Sequence, residues 1–138
     1  MRLITYTTKN APHVGTPRKN RARLFVVFRR SGLIRLDLGV TKLLGVQQGA
    51  RIALHQDAQY PSDWYISLSS GLDGFQATML KRKGCNIKSD QLVETIRCAI
   101  GIGEGNAAPP KSFRISVDPC PKEKGLYTLR TANVKIIE

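Results

Sequence analysis

The sequence predicts an α+β fold, with a mostly antiparallel curved sheet or small barrel and one main helix at about residues 89–101. Seven or eight short segments are rich in β-branched and aromatic residues, and several of them alternate apolar with polar side chains. Turn-forming residues separate these segments, and only one long segment has clear helical periodicity. We expect one α+β domain over residues 23–138, preceded by a basic, partly flexible arm over residues 1–22.

The first predicted unit is a hairpin followed by a short helix. Residues 23–30 (RLFVVFRR) form an apolar run with basic ends, which is typical of a strand, and residues 31–32 (SG) are a turn signal. Residues 33–38 (LIRLDL) alternate with the period of a half-buried strand. Residues 40–44 then predict one or two helical turns, which end at Gly45 in the left-handed conformation.

The middle of the chain predicts three further strands. Residues 51–55 place two apolar side chains on one face, and residues 74–80 form an apolar run after a Gly-rich loop. In the segment WYISLS, the alternation predicts that Trp64, Ile66 and Leu68 point inward and that Tyr65 points outward.

The C-terminal third contains the main helix. A basic turn at residues 81–84 leads into a short strand, and Ser89 is a suitable N-cap for the helix that follows. The helix has an apolar stripe on one side and Gly101 as its stop signal. Residues 101–111 predict a flexible linker, and the last strands are expected within residues 112–118 and 125–137.

Positive charge dominates the composition. The formal net charge is +12, the sequence pI is about 10.1, and the first 36 residues contain nine Lys or Arg before the first acid, Asp37. Charge of one sign repels itself in a compact chain, which favours a polyanion as the partner. A membrane surface would require an amphipathic anchor helix or a lipidation motif, and we find neither in the sequence. We therefore expect a nucleic acid as the partner and no membrane.

The sequence offers no recognisable catalytic or metal-binding pattern. His13 and His55 are the only histidines, and neither lies in a cluster with ligand spacing. The segment GIGEG lacks the Lys-Ser/Thr of a phosphate-binding loop and follows a helix. Cys85, Cys98 and Cys120 match no zinc or disulfide pattern, so we expect reduced thiols in a cytoplasmic protein, with Cys98 facing the core. We expect that the protein is not an enzyme and that it binds no cofactor and no metal.

Residues 26–68 resemble the AbrB/MazE-like swapped-hairpin DNA-binding fold. The shared pattern is a Gly followed by alternating apolar residues, a short helix ending in Leu-Gly-hydrophobic, and a second Gly before a strand. The family's Pro at the helix start and its Asp after the second Gly are replaced here by Leu38-Gly39 and Ala50. The resemblance implies DNA binding by an intertwined dimer. The matching positions are Gly32, Ile34, Leu36, Leu43, Leu44, Gly45, Val46, Gly49, Ile52 and Leu54.

Residues 81–101 also resemble part of the positive-cofactor-four family of single-stranded-DNA-binding transcription proteins. In that family a basic Arg-Lys-Gly turn leads into a strand and a long helix after a curved sheet. The resemblance implies binding of single strands by basic and aromatic residues on the sheet. Phe75, Tyr65 and Trp64 are candidate stacking residues, although we assign Trp64 to the core. The matching positions are Arg82, Lys83, Gly84, Ile87, Leu92 and Ile96.

These observations together predict a cytoplasmic DNA-binding protein, expected to be a homodimer, that acts in transcription regulation or DNA maintenance. Lys and Arg at strand ends and turns would neutralise phosphates. The sequence does not distinguish duplex from single-stranded DNA as the ligand. The alternative function is an RNA-binding or acidic-protein-binding accessory module without catalysis. The predicted nucleic-acid-binding residues are Arg18, Lys19, Arg21, Arg23, Arg29, Arg30, Arg35, Lys81, Arg82 and Lys83.

Overall fold

A computed structural model describes residues 24–102 and 110–137. Over these ranges the chain forms ten strands, two α-helices and one 3-10 helix. The predicted arm at residues 1–22 lies outside the described residues. The elements are β1 (Phe25–Arg29), β2 (Leu33–Leu36), α1 (Leu38–Leu44), β3 (Arg51–Gln56), β4 (Trp64–Ser69), β5 (Phe75–Gln76), β6 (Thr78–Leu80), β7 (Gly84–Lys88), α2 (Asp90–Ala99), β8 (Ser112–Glu123), β9 (Leu126–Leu129), the 3-10 helix (Thr131–Asn133) and β10 (Lys135–Ile137).

The strands form a nearly closed antiparallel barrel, so the predicted α+β class with a curved sheet or small barrel is confirmed. The hydrogen-bonded order is β5-β3-β4-β9-β8-β1-β2-β7-β6, and β10 pairs with β8. The two ends of this order, β5 and β6, are consecutive in the chain and are separated only by the buried Ala77. The sheet edges therefore meet at one residue, and the sheet encloses its own core.

Strand β8 joins the two halves of the barrel. Its first half pairs with β1 from Ser112 to Ser116 on one side and with β10 from Ser112 to Arg114 on the other. Its second half pairs with β9, and the register shifts between Val117 and Pro121 and again before Glu123. Such irregularities increase the local bend of a strand. The bend lets one strand of 12 residues serve both halves.

The core is built from the inward-facing residues of the strands. Val26, Ile34 and Ile115 are completely buried, and the Phe28 and Phe113 rings stack with their centroids 5.2 Å apart. Trp64 is also buried, as predicted. Leu68 was expected in the core, but it is 40% exposed near the end of β4, where it lines a surface cavity.

Both helices begin and end as their capping residues dictate. The Asp37 carboxylate accepts a hydrogen bond from the Leu38 N–H at 3.0 Å, and Gly45 ends α1 with a φ of 75°. The Ser89 hydroxyl accepts a hydrogen bond from the Leu92 N–H at 3.2 Å and caps α2. The ten-residue α2 lies where the main helix was predicted, and the seven-residue α1 lies where one or two helical turns were predicted. No helix in the described ranges is long and apolar enough to cross a membrane.

Three other local predictions differ from the structure. The predicted strand over residues 74–80 is two short strands, because the chain changes pairing partner at Ala77. The last predicted segment, residues 125–137, contains β9, the 3-10 helix and β10 rather than one strand. Cys98 is exposed on α2, and Cys85 is the cysteine in the core.

Candidate nucleic-acid interface

A row of polar and basic side chains crosses the outer face of the barrel on six adjacent strands. Directly paired residues of antiparallel strands project from the same face of a sheet. The printed registers of β10, β8, β1, β2, β7 and β6 therefore place one residue from each strand in a single line. The members of this row, in spatial order, are Lys135, Arg114, Val27, Arg35, Asn86 and Thr78.

The alternation of buried and accessible residues identifies this side of the sheet as the outer one. Each row member on β1, β2 and β8 lies next to fully buried residues such as Val26, Ile34 and Ile115. Arg35 and Arg114 themselves are half-buried. Their aliphatic stems thus cover the sheet, while their guanidinium groups remain accessible at the surface.

An aromatic ring holds one of the two arginines. The Arg114 guanidinium carbon lies 4.3 Å from the centroid of the Phe25 ring, within the range of a cation–π contact. Phe25 is on β1, on the same face as the row, and pairs with Ser116 of β8. A planar guanidinium that stacks on one ring still presents its other face to a second ring. We call Phe25, Arg35, Arg114 and Lys135 the basic face.

The second arginine is oriented by its neighbour in the row. The Arg35 Nε donates a hydrogen bond to the Asn86 Oδ1 at 3.3 Å. Between the two arginines lies a shallow cavity of about 190 Å³. Asp37, the acid at this cavity, already accepts the helix-capping hydrogen bond from Leu38. The cavity is lined by Phe25, Val27, Arg35, Asp37, Arg114 and Ile137.

The cations of the basic face form no ion pair within the described residues. Within residues 24–102 and 110–137 there are two ion pairs, Arg97 with Glu94 and Arg130 with Asp118. Neither pair includes a residue of the basic face. Lys135, Arg114 and Arg35, on β10, β8 and β2, outnumber the acid Asp37 and favour a positive potential over this side of the barrel. Such a potential attracts anions.

The predicted binding residues are distributed over four places. Arg18, Lys19, Arg21 and Arg23 lie outside the described residues. Arg35 lies within the row, whereas Arg29 and Arg30 are exposed at the end of β1 and in the turn that follows it. Lys81, Arg82 and Lys83 form the exposed β6–β7 turn, in which Arg82 has a φ of 62°. That turn precedes Gly84, two residues before Asn86 of the row.

Sequence reasoning missed three members of the basic face: Phe25, Arg114 and Lys135. The alternation in the segment FRISV places Arg114 opposite in direction to the buried Phe113 and Ile115, so its outward position was readable. Its neighbours were not readable, because the pairing of β8 with β1 joins residues nearly 90 positions apart in the sequence.

None of the aromatic residues proposed from the sequence lies in the row. Trp64 is in the core, and its buried Nε1 has no hydrogen-bond partner among the described residues. Tyr65 is buried, and its hydroxyl accepts a hydrogen bond from the Lys122 Nζ at 2.9 Å. This hydrogen bond raises the pKa of Lys122, and the nearby Asp57 and Asp63 carboxylates add to the effect. Phe75 packs against the core.

A larger cavity lies elsewhere, between α1 and the β8–β9 turn. It has a volume of about 500 Å³ and includes His55 and Leu68 among its lining residues. The exposed His55 Nε2 lies 2.8 Å from the Ser67 Oγ. No cluster of three or more His, Cys, Asp or Glu side chains suited to a metal ion occurs in the described part of the chain.

Comparison of the chain with protein-family models, with curated proteins and with solved structures finds no match. Neither of the two family resemblances drawn from the sequence is therefore tested by a relative, and both stay predictions. The functional assignment depends on the chemistry of the chain's own residues.

Proposed function

We propose that this protein binds single-stranded nucleic acid, with DNA favoured, on the basic face of the barrel. The observation that carries the proposal is the contact between Arg114 and Phe25 beside Arg35 in one aligned row. Cations alone would suit any polyanion. A guanidinium stacked on an aromatic ring also offers a flat surface on which an unpaired base can stack.

The dimensions of the row fit an extended strand. Neighbouring strands lie about 4.8 Å apart, so five intervals from β10 to β6 span about 24 Å. Lys135, Arg114 and Arg35 neutralise backbone phosphates along this line, and Asn86 adds an amide for hydrogen bonds. Bases of a single strand expose their flat faces, whereas a duplex stacks them inside. The stacked arginine therefore favours the single strand.

Other basic residues extend the proposed interface. The β6–β7 turn at Lys81, Arg82 and Lys83 lies near one end of the row, and the arm residues Arg18, Lys19, Arg21 and Arg23 add positive charge. Their contribution is electrostatic and independent of sequence, and it weakens with added salt. Sequence readout would require contacts to base edges.

The wider role belongs to the same proposal. A cytoplasmic, non-enzymatic homodimer in transcription regulation or DNA maintenance is supported by the composition and by the two family resemblances. The preference for DNA over RNA rests on those resemblances alone. Sedimentation at two protein concentrations tests the homodimer, since a monomer at both would contradict it.

The experiment that tests this function is a competition among four polyanions. Labelled single-stranded DNA is bound to the protein and displaced by unlabelled single-stranded DNA, duplex DNA, single-stranded RNA or an acidic polypeptide, at two salt concentrations. We expect single-stranded DNA to compete best at both. Equal competition by the acidic polypeptide would favour the accessory-module alternative, a preference for RNA would reassign the ligand, and a duplex preference would contradict stacking on Arg114.

A further inference from the structure

A second cavity lies at the end of β1, next to the basic face. It has a volume of about 360 Å³ and is lined by Arg29, Arg30, Ser31 and Lys111. All four residues are exposed. Among its described lining residues, three are cations and the fourth carries a hydroxyl group. This composition is suited to a compact, multiply charged anion.

Backbone hydrogen bonds connect the segments that carry these cations. The Arg30 N–H donates a hydrogen bond to the Lys111 C=O at 2.8 Å, so the β1–β2 turn is fixed to the start of β8. The Gly32 N–H donates to the Arg29 C=O at 2.8 Å and closes the turn, with a φ of 96° at Gly32. The backbone positions that carry these cations are therefore set by the fold.

The position of the cavity relates it to the proposed strand path. Arg29 and Phe25 are four positions apart in β1, so their side chains are on the same face of the strand. Four residues of a strand span about 13 Å. The row runs across the strands, whereas Arg29 lies along β1. The end of a single strand that leaves the row beside Arg114 and turns along β1 therefore reaches Arg29 and Lys111 within a few nucleotides.

A terminal phosphate differs from an internal one in charge. A phosphomonoester carries about −1.5 to −2 charges near pH 7 and offers three strong acceptor oxygens. A phosphodiester within the chain carries one charge, and two of its four oxygens are esterified. Three cations and a hydroxyl group therefore favour the end of a strand over its interior.

We propose that the cavity formed by Arg29, Arg30, Ser31 and Lys111 binds the terminal phosphate of a nucleic-acid strand whose bases lie on the basic face. The inference rests on the proposed function and makes it more specific. The protein then distinguishes a phosphorylated strand end from a hydroxyl end. The shared chemistry is a phosphomonoester, which can be at the 5′ or the 3′ end.

The test compares three forms of one short, internally labelled oligothymidylate: 5′-phosphorylated, 3′-phosphorylated, and with hydroxyl groups at both ends. We expect one phosphorylated form to bind about tenfold more tightly than the hydroxyl form. The 5′ and 3′ forms identify which end occupies the cavity. Binding of all three forms with equal affinity would overturn the inference and leave the proposed function intact. Binding of none would overturn the proposed function itself.

Two variants and a competitor connect the preference to this cavity. The double variant Arg29→Gln/Lys111→Gln should bring the affinity ratio between phosphorylated and hydroxyl forms close to one. Lys124→Gln, a single charge loss in the β8–β9 turn, should retain the ratio. Inorganic phosphate, at ionic strength matched with chloride, should reduce the ratio without displacing the hydroxyl form. An unchanged ratio in the double variant, or equal displacement of both forms by phosphate, would contradict a separate phosphate site.

Discussion

At the scale of single residues, Arg114 contributes more than its charge. Its guanidinium lies over the Phe25 ring in a cation–π contact. A lysine ammonium lacks the planar group that can stack on a ring. The neighbouring Arg35 is held by Asn86, so the two arginines of the row are oriented by different partners. The charge of Arg114 and its flat guanidinium surface should therefore contribute separately to binding.

This separation predicts the behaviour of a conservative variant. Arg114→Lys keeps the charge but removes the flat stacking surface, so its affinity for single-stranded DNA should fall about tenfold. The slope of log affinity against log salt should stay at the wild-type value, because the number of phosphate contacts is unchanged. A salt titration of both proteins measures the two quantities. Wild-type affinity in Arg114→Lys would contradict stacking on this residue.

The three cysteines should differ in reactivity. Cys85 is fully buried, and burial raises the pKa of its thiol, an effect that the hydrogen bond from Thr41 partly offsets. Cys98 and Cys120 are exposed. Because the thiolate is the reactive form, a thiol reagent should modify these two rapidly in the native protein and Cys85 only after unfolding.

Labelling followed by peptide mapping assigns each modified cysteine. The variant Cys98→Ser/Cys120→Ser is the control, since it should show no rapid labelling until denaturant is added. Rapid native labelling in that variant would show that Cys85 is accessible and that the core around it is packed differently.

Single residues also show what the sequence could predict. Trp64 was assigned to the core by its alternation with Ile66, and it is buried. Cys98 was assigned to the core, yet Val93 and Ile96 are the buried residues of α2, and Cys98 lies on its exposed side. Cysteine is often buried, but the position of Cys98 around the helix places it away from the buried residues of α2.

At the scale of elements, the sequence predicts the residues that cap the helices but not the points where a strand changes its pairing partner. Gly45 ends α1 and Ser89 precedes the start of α2, as their residue types predict. The division of residues 74–80 into β5 and β6 follows from the approach of the two sheet edges at Ala77, which is a property of the whole fold. The propensity of a single segment contains no information about such a closure.

The basic β6–β7 turn depends on a glycine that no other residue can replace. Gly84 has a φ of 96°, and an added Cβ would collide with the Leu36 carbonyl oxygen. Gly45 also has a positive φ, but nothing lies within 4 Å of the position of its Cβ. A side chain at Gly45 would therefore introduce backbone strain alone, whereas a side chain at Gly84 would introduce both strain and a steric clash.

Alanine at each glycine should therefore have a different cost. Gly45→Ala should lower the free energy of unfolding by about 1–2 kcal/mol, because only left-handed strain is introduced. Gly84→Ala should lower it by about 3 kcal/mol, because strain is combined with the clash against β2. Chemical denaturation measures both values. Equal costs for the two variants would contradict the close packing of β7 against the end of β2.

At the scale of the whole molecule, barrel closure brings distant basic residues together. Arg35, Arg114 and Lys135 come from three separate parts of the sequence and become neighbours through the pairing of β1, β2, β8 and β10. Composition predicted a polyanion partner, and Arg35 was among the predicted residues. The position of the interface required the strand order, which a single sequence does not reveal.

The most direct test of the central claim is the salt dependence of single-stranded DNA binding by Arg35→Gln/Arg114→Gln, measured beside wild type and Lys124→Gln. If the basic face binds the strand, the double variant should bind more weakly at low salt. The slope of log affinity against log salt should become less negative by about 1.4, from the loss of two phosphate contacts. Lys124→Gln should behave as wild type. Wild-type affinity and slope in the double variant would contradict the proposal.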